Sequence, residues 1–342
     1  MNPAKSFDHL FSPLGDPEDF KTLGVITFLR SPQIPMETEA LKNCGARYAF
    51  MGIPYDEGNV GKPGSEDGAQ AFRMASHEYF PYWFEYQVDL EGHCVDCGNV
   101  RIPKVSPELA HDRIYRAVTE VLKSGLTPVI CGGDHSISIP ASRALSDHIG
   151  EQNKMGYLHL GAHLDMADSW AGEKVTSPCS LARITELPNV NSENVSHIGA
   201  RNSMNPKDHV DLAKSRGVRF FSMFETLDRG VASVINEAAD RLWNGTTGQY
   251  LSINMNVMDA SAAPGVTAPE PGGLESREVM QLATILGQKG TPSIIEISEL
   301  SPVYDVSDTT SKLAACIVLR LMASNCKERG ELVDQSIRRK QR

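Results

Sequence analysis

Three short segments set imidazoles, carboxylates and amides at close spacing: Gly132-Gly133-Asp134-His135-Ser136, Gly161-Ala162-His163-Leu164-Asp165 and Asn254-Met255-Asn256-Val257-Met258-Asp259. Imidazole titrates near neutral pH and carboxylates take up and return protons, so such a set suits general acid–base chemistry. The same groups also ligate divalent cations. Further polar groups follow at Ala263-Pro264-Gly265, at Pro271-Gly272-Gly273-Leu274 with Glu278 beyond it, and at Glu299-Leu300-Ser301-Pro302-Val303-Tyr304-Asp305. One buried histidine is more often a core residue than a ligand. Several clusters at equivalent places in one fold make a shared site the better account.

The elements that must position these groups are legible as an alternation. Short apolar runs at Tyr48–Ile53, Thr127–Cys131, Gly156–Leu160, Val195–Ile198, Val218–Phe221, Tyr250–Ile253 and Ser293–Ile297 read as buried strands. Between them, helical spacing recurs at Pro107–Lys123, in a stretch through Ala144, and at Lys207–Lys214, Val231–Leu242, Ser276–Leu286 and Thr310–Met322. In the first of these, Ala110, Ile114, Val118 and Val121 form the apolar stripe, and Gly125 ends it. This order predicts an α/β fold with a parallel sheet covered on both faces. Ligands of such sheets bind outside the carboxyl ends of the strands, and each cluster above directly follows a strand.

Composition narrows the function classes. The chain has 342 residues, 41% of them hydrophobic and 22% charged, which suits a single large globular domain and not a disordered or fibrous chain. A net charge of −10 argues against binding a nucleic-acid backbone. No run reaches the length of a membrane span, and no signal peptide is read at the N-terminus. Seven cysteines, an odd number widely spread, suit a reducing compartment, so a cytoplasmic protein is expected. Cys94-Val95-Asp96-Cys97 lacks the second pair that a zinc site needs. The aromatic cluster Tyr79–Phe84 reads as subunit packing or a pocket wall. The expected layout is an N-terminal arm over 1–22, a single domain over 23–326 and a tail over 327–342 that ends in the basic run Arg338–Arg342.

In order and spacing these segments resemble the ureohydrolases, the arginase and agmatinase superfamily, with the agmatinase branch nearest. Thr27-Phe28-Leu29-Arg30, Gly52-Ile53-Pro54-Tyr55-Asp56, Lys62-Pro63-Gly64 and Ile198-Gly199-Ala200-Arg201 carry the resemblance beyond the three clusters. It implies a three-layer αβα domain with a parallel sheet, assembled as a trimer or hexamer, and a pair of Mn(II) ions held by six residues at three strand ends. Two carboxylates bridge the ions, and the hydroxide between them attacks a guanidinium carbon to release urea.

Position by position, the implied ligand set is half lost. His135, His163 and Asp165 are present. The first bridging carboxylate falls at Gly161, the second at Asn254, and a terminal carboxylate at Asn256. A histidine common in the family before Ser177-Pro178 is absent around Val175, while Asp259 and Glu278 stand at family positions. One carboxylate and no bridging anion are too little negative charge to hold two divalent cations a few ångströms apart. The binuclear mechanism is therefore not expected, and neither a metal nor another cofactor is assigned.

Three readings follow. The first is a repurposed enzyme doing metal-independent acid–base chemistry with His135, His163, Asp165, Asp259 and Glu278 on a small polar amine or guanidino substrate. In it Asn254 and Asn256 orient the ligand, and Trp170, five residues past Asp165, sets specificity. The second is a pseudoenzyme with a structural or regulatory role. The third is a mononuclear hydrolase with one ion on His135, His163 and Asp165. No nucleic-acid or membrane partner is expected.

Overall fold

The computed structural model describes residues 25–103 and 106–333. The expected N-terminal arm over 1–22 and the basic run Arg338–Arg342 of the expected tail lie outside the described residues. The amino-terminal third contains α1 (Thr38–Lys42), β1 (Tyr48–Gly52), α2 (Gly68–His77), the short pair β2 (Tyr82–Trp83) and β3 (Val88–Asp89), then β4 (Cys94–Asn99). The middle runs through α3 (Pro107–Ser124), β5 (Thr127–Cys131), α4 (Ser138–Ile149), β6 (Met155–Leu160), α5 (Ser180–Ile184), β7 (Val190–Ala200), α6 (Lys207–Ser215) and β8 (Arg219–Ser222). The remainder is α7 (Met223–Arg229), α8 (Val231–Trp243), β9 (Gly248–Asn254), α9 (Ser276–Lys289), β10 (Ile294–Ser298) and α10 (Thr309–Glu328).

Eight strands form one parallel sheet in the order β4-β1-β5-β10-β9-β6-β7-β8. Its two faces are covered by separate apolar layers, one built with α2, α8, α9 and α10 and the other with α3, α4, α5 and α6. Side-chain alternation in β1 shows how one run serves both: Tyr48 and Phe50 enter the first layer, Ala49 and Met51 the second. Local signals agree with this plan. In α3, Ser106 accepts a hydrogen bond from the Leu109 amide at 3.2 Å, Pro107 occupies the first turn, and Gly125 at φ 83° stops the helix.

The four central neighbours β5, β10, β9 and β6 place the site. Their carboxyl ends lead to His135, Glu299, Asn254 with Asn256, and the 161–165 loop, so residues far apart in sequence meet over adjacent strands. Two elements missed in the sequence, β4 and α2, complete one edge. Both carry polar residues buried in mutual contact. Arg73 on α2 forms a double contact to Asp96 on β4, at 2.8 Å from Nε and 3.0 Å from NH2, with both side chains almost wholly buried. The amides of Phe28 and Gly98 also donate to this carboxylate, each at 2.8 Å.

Among the described residues no helix is long and apolar enough to cross a membrane. Arg73→Met strands the Asp96 carboxylate in the interior, so it should lower unfolding free energy by about 3–5 kcal/mol in urea titration. A loss below about 1 kcal/mol would show that the pair is not what seals this edge.

Candidate active site

His135 sits in the short helical turn after β5 and is fully buried. Its Nδ1 lies 2.6 Å from Asp165 Oδ2 and 2.9 Å from Ser180 Oγ, and its Nε2 lies 3.0 Å from Ser252 Oγ. Ser252 gives its own proton to Glu296 Oε1 at 2.8 Å, so its oxygen accepts from His135 Nε2–H. Asp165 accepts from Nδ1–H. Both ring nitrogens thus have acceptors in place, an arrangement that favours the imidazolium. Burial alone would lower its pKa, but the Asp165 hydrogen bond, with the charges of Asp165, Glu296 and Glu299, carries it above the ordinary histidine value. Glu296 is held in place by hydroxyls from three directions: Ser252, Ser138 at 2.6 Å, and Tyr250.

A polar row lies across the sheet beneath this pair. His197 on β7, His159 on β6, Ser252 on β9 and Glu296 on β10 are successive register partners. His159 stacks on His135 with ring centroids 4.3 Å apart and shares an Nδ1–Nδ1 hydrogen bond of 2.9 Å with His197. Burial, and then the neighbouring imidazoles, drive His159 well below its usual value and His197 down to about 3. Both are neutral, so the imidazolium faces no second cation.

His159 also decides the geometry at Gly161. A Cβ on Gly161 would lie 2.6 Å from His159 Nε2. That nitrogen is the far end of its side chain, and the ring is packed between His135 and His197. The imidazole thus fills the space that the missing side chain at 161 would enter.

The two asparagines are tied into the same network. Asn254 Oδ1 accepts from the Asn256 amide at 3.0 Å, capping the turn after β9. Asn256 Oδ1 accepts from the Ala162 amide at 2.9 Å, and its Nδ2 lies 3.3 Å from both Glu299 Oε2 and His163 Nδ1. Glu299, which the sequence reading left without a role, also accepts from Thr267 Oγ1 at 2.5 Å. Burial, then the charge of Asp165, raises its pKa. Asp165 and Glu299 take left-handed backbone conformations, φ 51° and 61°, which are strained for side-chain-bearing residues and gather at functional sites.

His163, Asp165 and Glu299 open into a cavity of about 310 Å³ whose wall includes Trp170. Asp259 and Glu278 do not join it. Asp259 ties down the loop after β9, accepting from the Ser261 amide at 2.9 Å and Gly272 amide at 2.6 Å, and the Ser261 bonds chiefly hold it near pKa 2. Glu278 closes a capping box at the start of α9 with Glu275. Both line a separate, shallow surface pocket beside Leu227. His159 and Glu299 were missed, and the first had a signal: positions 159 and 161 of an extended segment share a face, so a histidine two residues before a glycine can fill its space.

An arginase-family sequence profile matches residues 46–324. Proclavaminate amidinohydrolase of Streptomyces clavuligerus is 30% identical over 300 residues, covering 86% of this chain and 91% of its own. Guanidinobutyrase of Pseudomonas aeruginosa is 28% identical over 319 residues, 92% of this chain and 96% of its own. The solved proclavaminate amidino hydrolase from Streptomyces clavuligerus superposes with a TM-score of 0.79 at 27% identity, covering 89% of this chain and 98% of that one. Agmatine ureohydrolase of Thermoplasma volcanium gives 0.75 at 27% identity, with 88% and 96% covered.

The Gly161 contact is open to a double-mutant cycle. Gly161→Ala should cost about 1–3 kcal/mol by overpacking against the wedged ring, and the loss should vanish in a His159→Ala background. An equal loss in both backgrounds would place the strain elsewhere.

Proposed function

The chain belongs to the arginase family, and from that premise we propose that it is a metal-independent enzyme that binds a small amine or guanidino compound and performs acid–base chemistry on it. One observation carries this reading: the His159 ring stands where the side chain at position 161, a bridging carboxylate in the family pattern, would have to be. The residues present do not fit two Mn(II) ions. Gly161 offers no ligand atom, and a carboxylate there would collide with His159. Neutral amides at 254 and 256 replace two further anions.

The exchange at 256 suits a site without metal. Asn256 Nδ2 donates toward Glu299 at 3.3 Å, whereas a carboxylate at 256 would set two anions against each other with no proton between them. The chain's own groups then divide the work. Asp165 and Glu299 take the positive head of the ligand, and the His135–Asp165 pair holds a proton at the cavity floor that Asp165 can pass on or take back. Asn256 and His163 orient the ligand, and Trp170 bounds it. The cation-binding carboxylate is assigned to Glu299 in place of Asp259 or Glu278.

A second reading has one observation behind it. His135, His159 and Asp165 offer ligand atoms within 4.8 Å of one another, as a mononuclear site requires. An ion bound by two imidazoles must lie in the plane of each ring, and these rings stack with only 29° between their planes. One ring would have to turn, so the metal-independent reading is preferred.

Metal uptake separates the alternatives. Elemental analysis of the purified protein should find no stoichiometric manganese, and added Mn(II) should elicit no urea from agmatine. Gly161→Asp with Asn254→Asp and Asn256→Asp should still bind no manganese pair, because His159 fills the space. Adding His159→Ala to those three should create Mn(II) binding, read as a rise in melting temperature with metal concentration. Two ions bound to the parent, or to the triple variant as tightly as to the quadruple one, would sink the proposal.

A further inference from the structure

The walls of the cavity carry more information than its floor. None of its lining residues is lysine or arginine, and its charged side chains are the acids Asp165 and Glu299. Above them stand Val60, Trp170, Pro178, Met204 and Pro206. Val60, Trp170 and Met204 are 46%, 43% and 57% exposed, so three of the large apolar side chains that the protein leaves in solvent converge on one opening.

These walls are built, not loose. Trp170 starts a tight hairpin in which its amide and carbonyl both pair with Glu173, at 2.7 and 2.9 Å. Ala171 and Gly172 between them have φ of 50° and 90°, the positive values that a type I′ turn needs. The Met204 loop is fixed through Asn205, whose Oδ1 accepts from the Leu164 amide at 2.8 Å and whose Nδ2 donates to the Ala162 carbonyl at 3.0 Å. The Met204 wall is thus fastened to the loop that carries His163 and Asp165, and the Trp170 wall is a closed turn that follows it in the chain.

We infer that the ligand is a monocation with an apolar tail: an alkyl or arylalkyl amine, amidine or guanidine whose head meets Asp165 and Glu299 and whose tail lies between Val60, Trp170 and Met204. This deepens the reading of the pocket as a cation site and rests on it. A tail ending in carboxylate would meet no lysine or arginine in the lining; Asn59 and Ser203 offer it only neutral groups, and His209 on α6 pairs with it as an ion only if protonated. A tail ending in a second ammonium would lose its hydration against the same wall without a partner. Trp170 is therefore a specificity-determining residue.

The test uses the full-length protein, chelator-treated, in isothermal titration calorimetry at pH 8. The probes are pentylguanidine, pentylamine, agmatine, 4-guanidinobutyrate and uncharged pentylurea. Pentylguanidine or pentylamine should bind at least about tenfold more tightly than agmatine and 4-guanidinobutyrate, the factor expected for covering a short alkyl tail. Trp170→Ala should remove most of that preference, and Met204→Ser should reduce it in a protein whose hairpin is untouched. Tighter or equal binding of 4-guanidinobutyrate or agmatine would overturn the tail assignment and leave the cation reading standing. Pentylurea binding as tightly as pentylguanidine, or no binding of any cation, would overturn the cation reading itself.

Discussion

A neutral imidazole packed against a charged one is the contact on which the site depends. His135 carries a proton between Asp165 and the Ser252–Glu296 pair, and it can do so in a wholly buried place because anions lie at both ends of its ring. The face of that ring is covered by His159, whose pKa is held well below the usual value by burial and then by the neighbouring imidazoles. Replacing His159 by a carboxylate from position 161 would add an anion at the same place. The charge of the site would then need a metal ion to balance it. The choice between imidazole and carboxylate therefore fixes what the rest of the pocket must be.

That choice propagates through the amides. Under the metal-independent reading no cation separates neighbouring carboxylates, and Asp165 and Glu299 are the carboxylates that line the cavity. Asn256 spans between Glu299, His163 and the Ala162 amide, so its side chain supplies donor and acceptor where a metal would have required two lone pairs. Asn254 is occupied in capping its own turn. The backbone bears some of the cost, since Asp165 and Glu299 are both held at positive φ to aim into one space.

Much of the architecture was legible because strands buried on both faces read as unbroken apolar runs. Thr127–Cys131 came out at its observed bounds, and most of the other strands and helices differed by a few residues at their ends. The failures share a cause. β4 holds Asp96 and α2 holds Arg73 and Ser76, polar residues that are buried with partners far away in the chain. No local pattern marks a residue as polar and internal. The same limit hid His159, which sits inside an apolar run as a core histidine would, while Glu299 stood in a polar segment after a strand with no spacing rule to give it a role. Asp259 and Glu278 lie outside the cavity. Their sequence positions matched a functional pattern, but their hydrogen bonds serve a loop and a helix terminus.

Whether such a site is maintained or decaying can be argued from its hydrogen bonds. Loss of a metal by drift would leave the remaining ligands buried, charged and unpaired, a state that costs several kcal/mol for each group and selects against itself. Here His135, Asp165, Asn254, Asn256 and Glu299 all have partners within 3.3 Å. The orphans among the described buried atoms of this cluster are Nε2 of His159, His163 and His197. An unpaired ring nitrogen costs far less than an unpaired carboxylate oxygen. Of the three, His163 lines the cavity, where a ligand can complete it. A pocket whose interior is satisfied without metal, and whose orphaned wall nitrogen faces the substrate space, is consistent with a site adapted to a ligand.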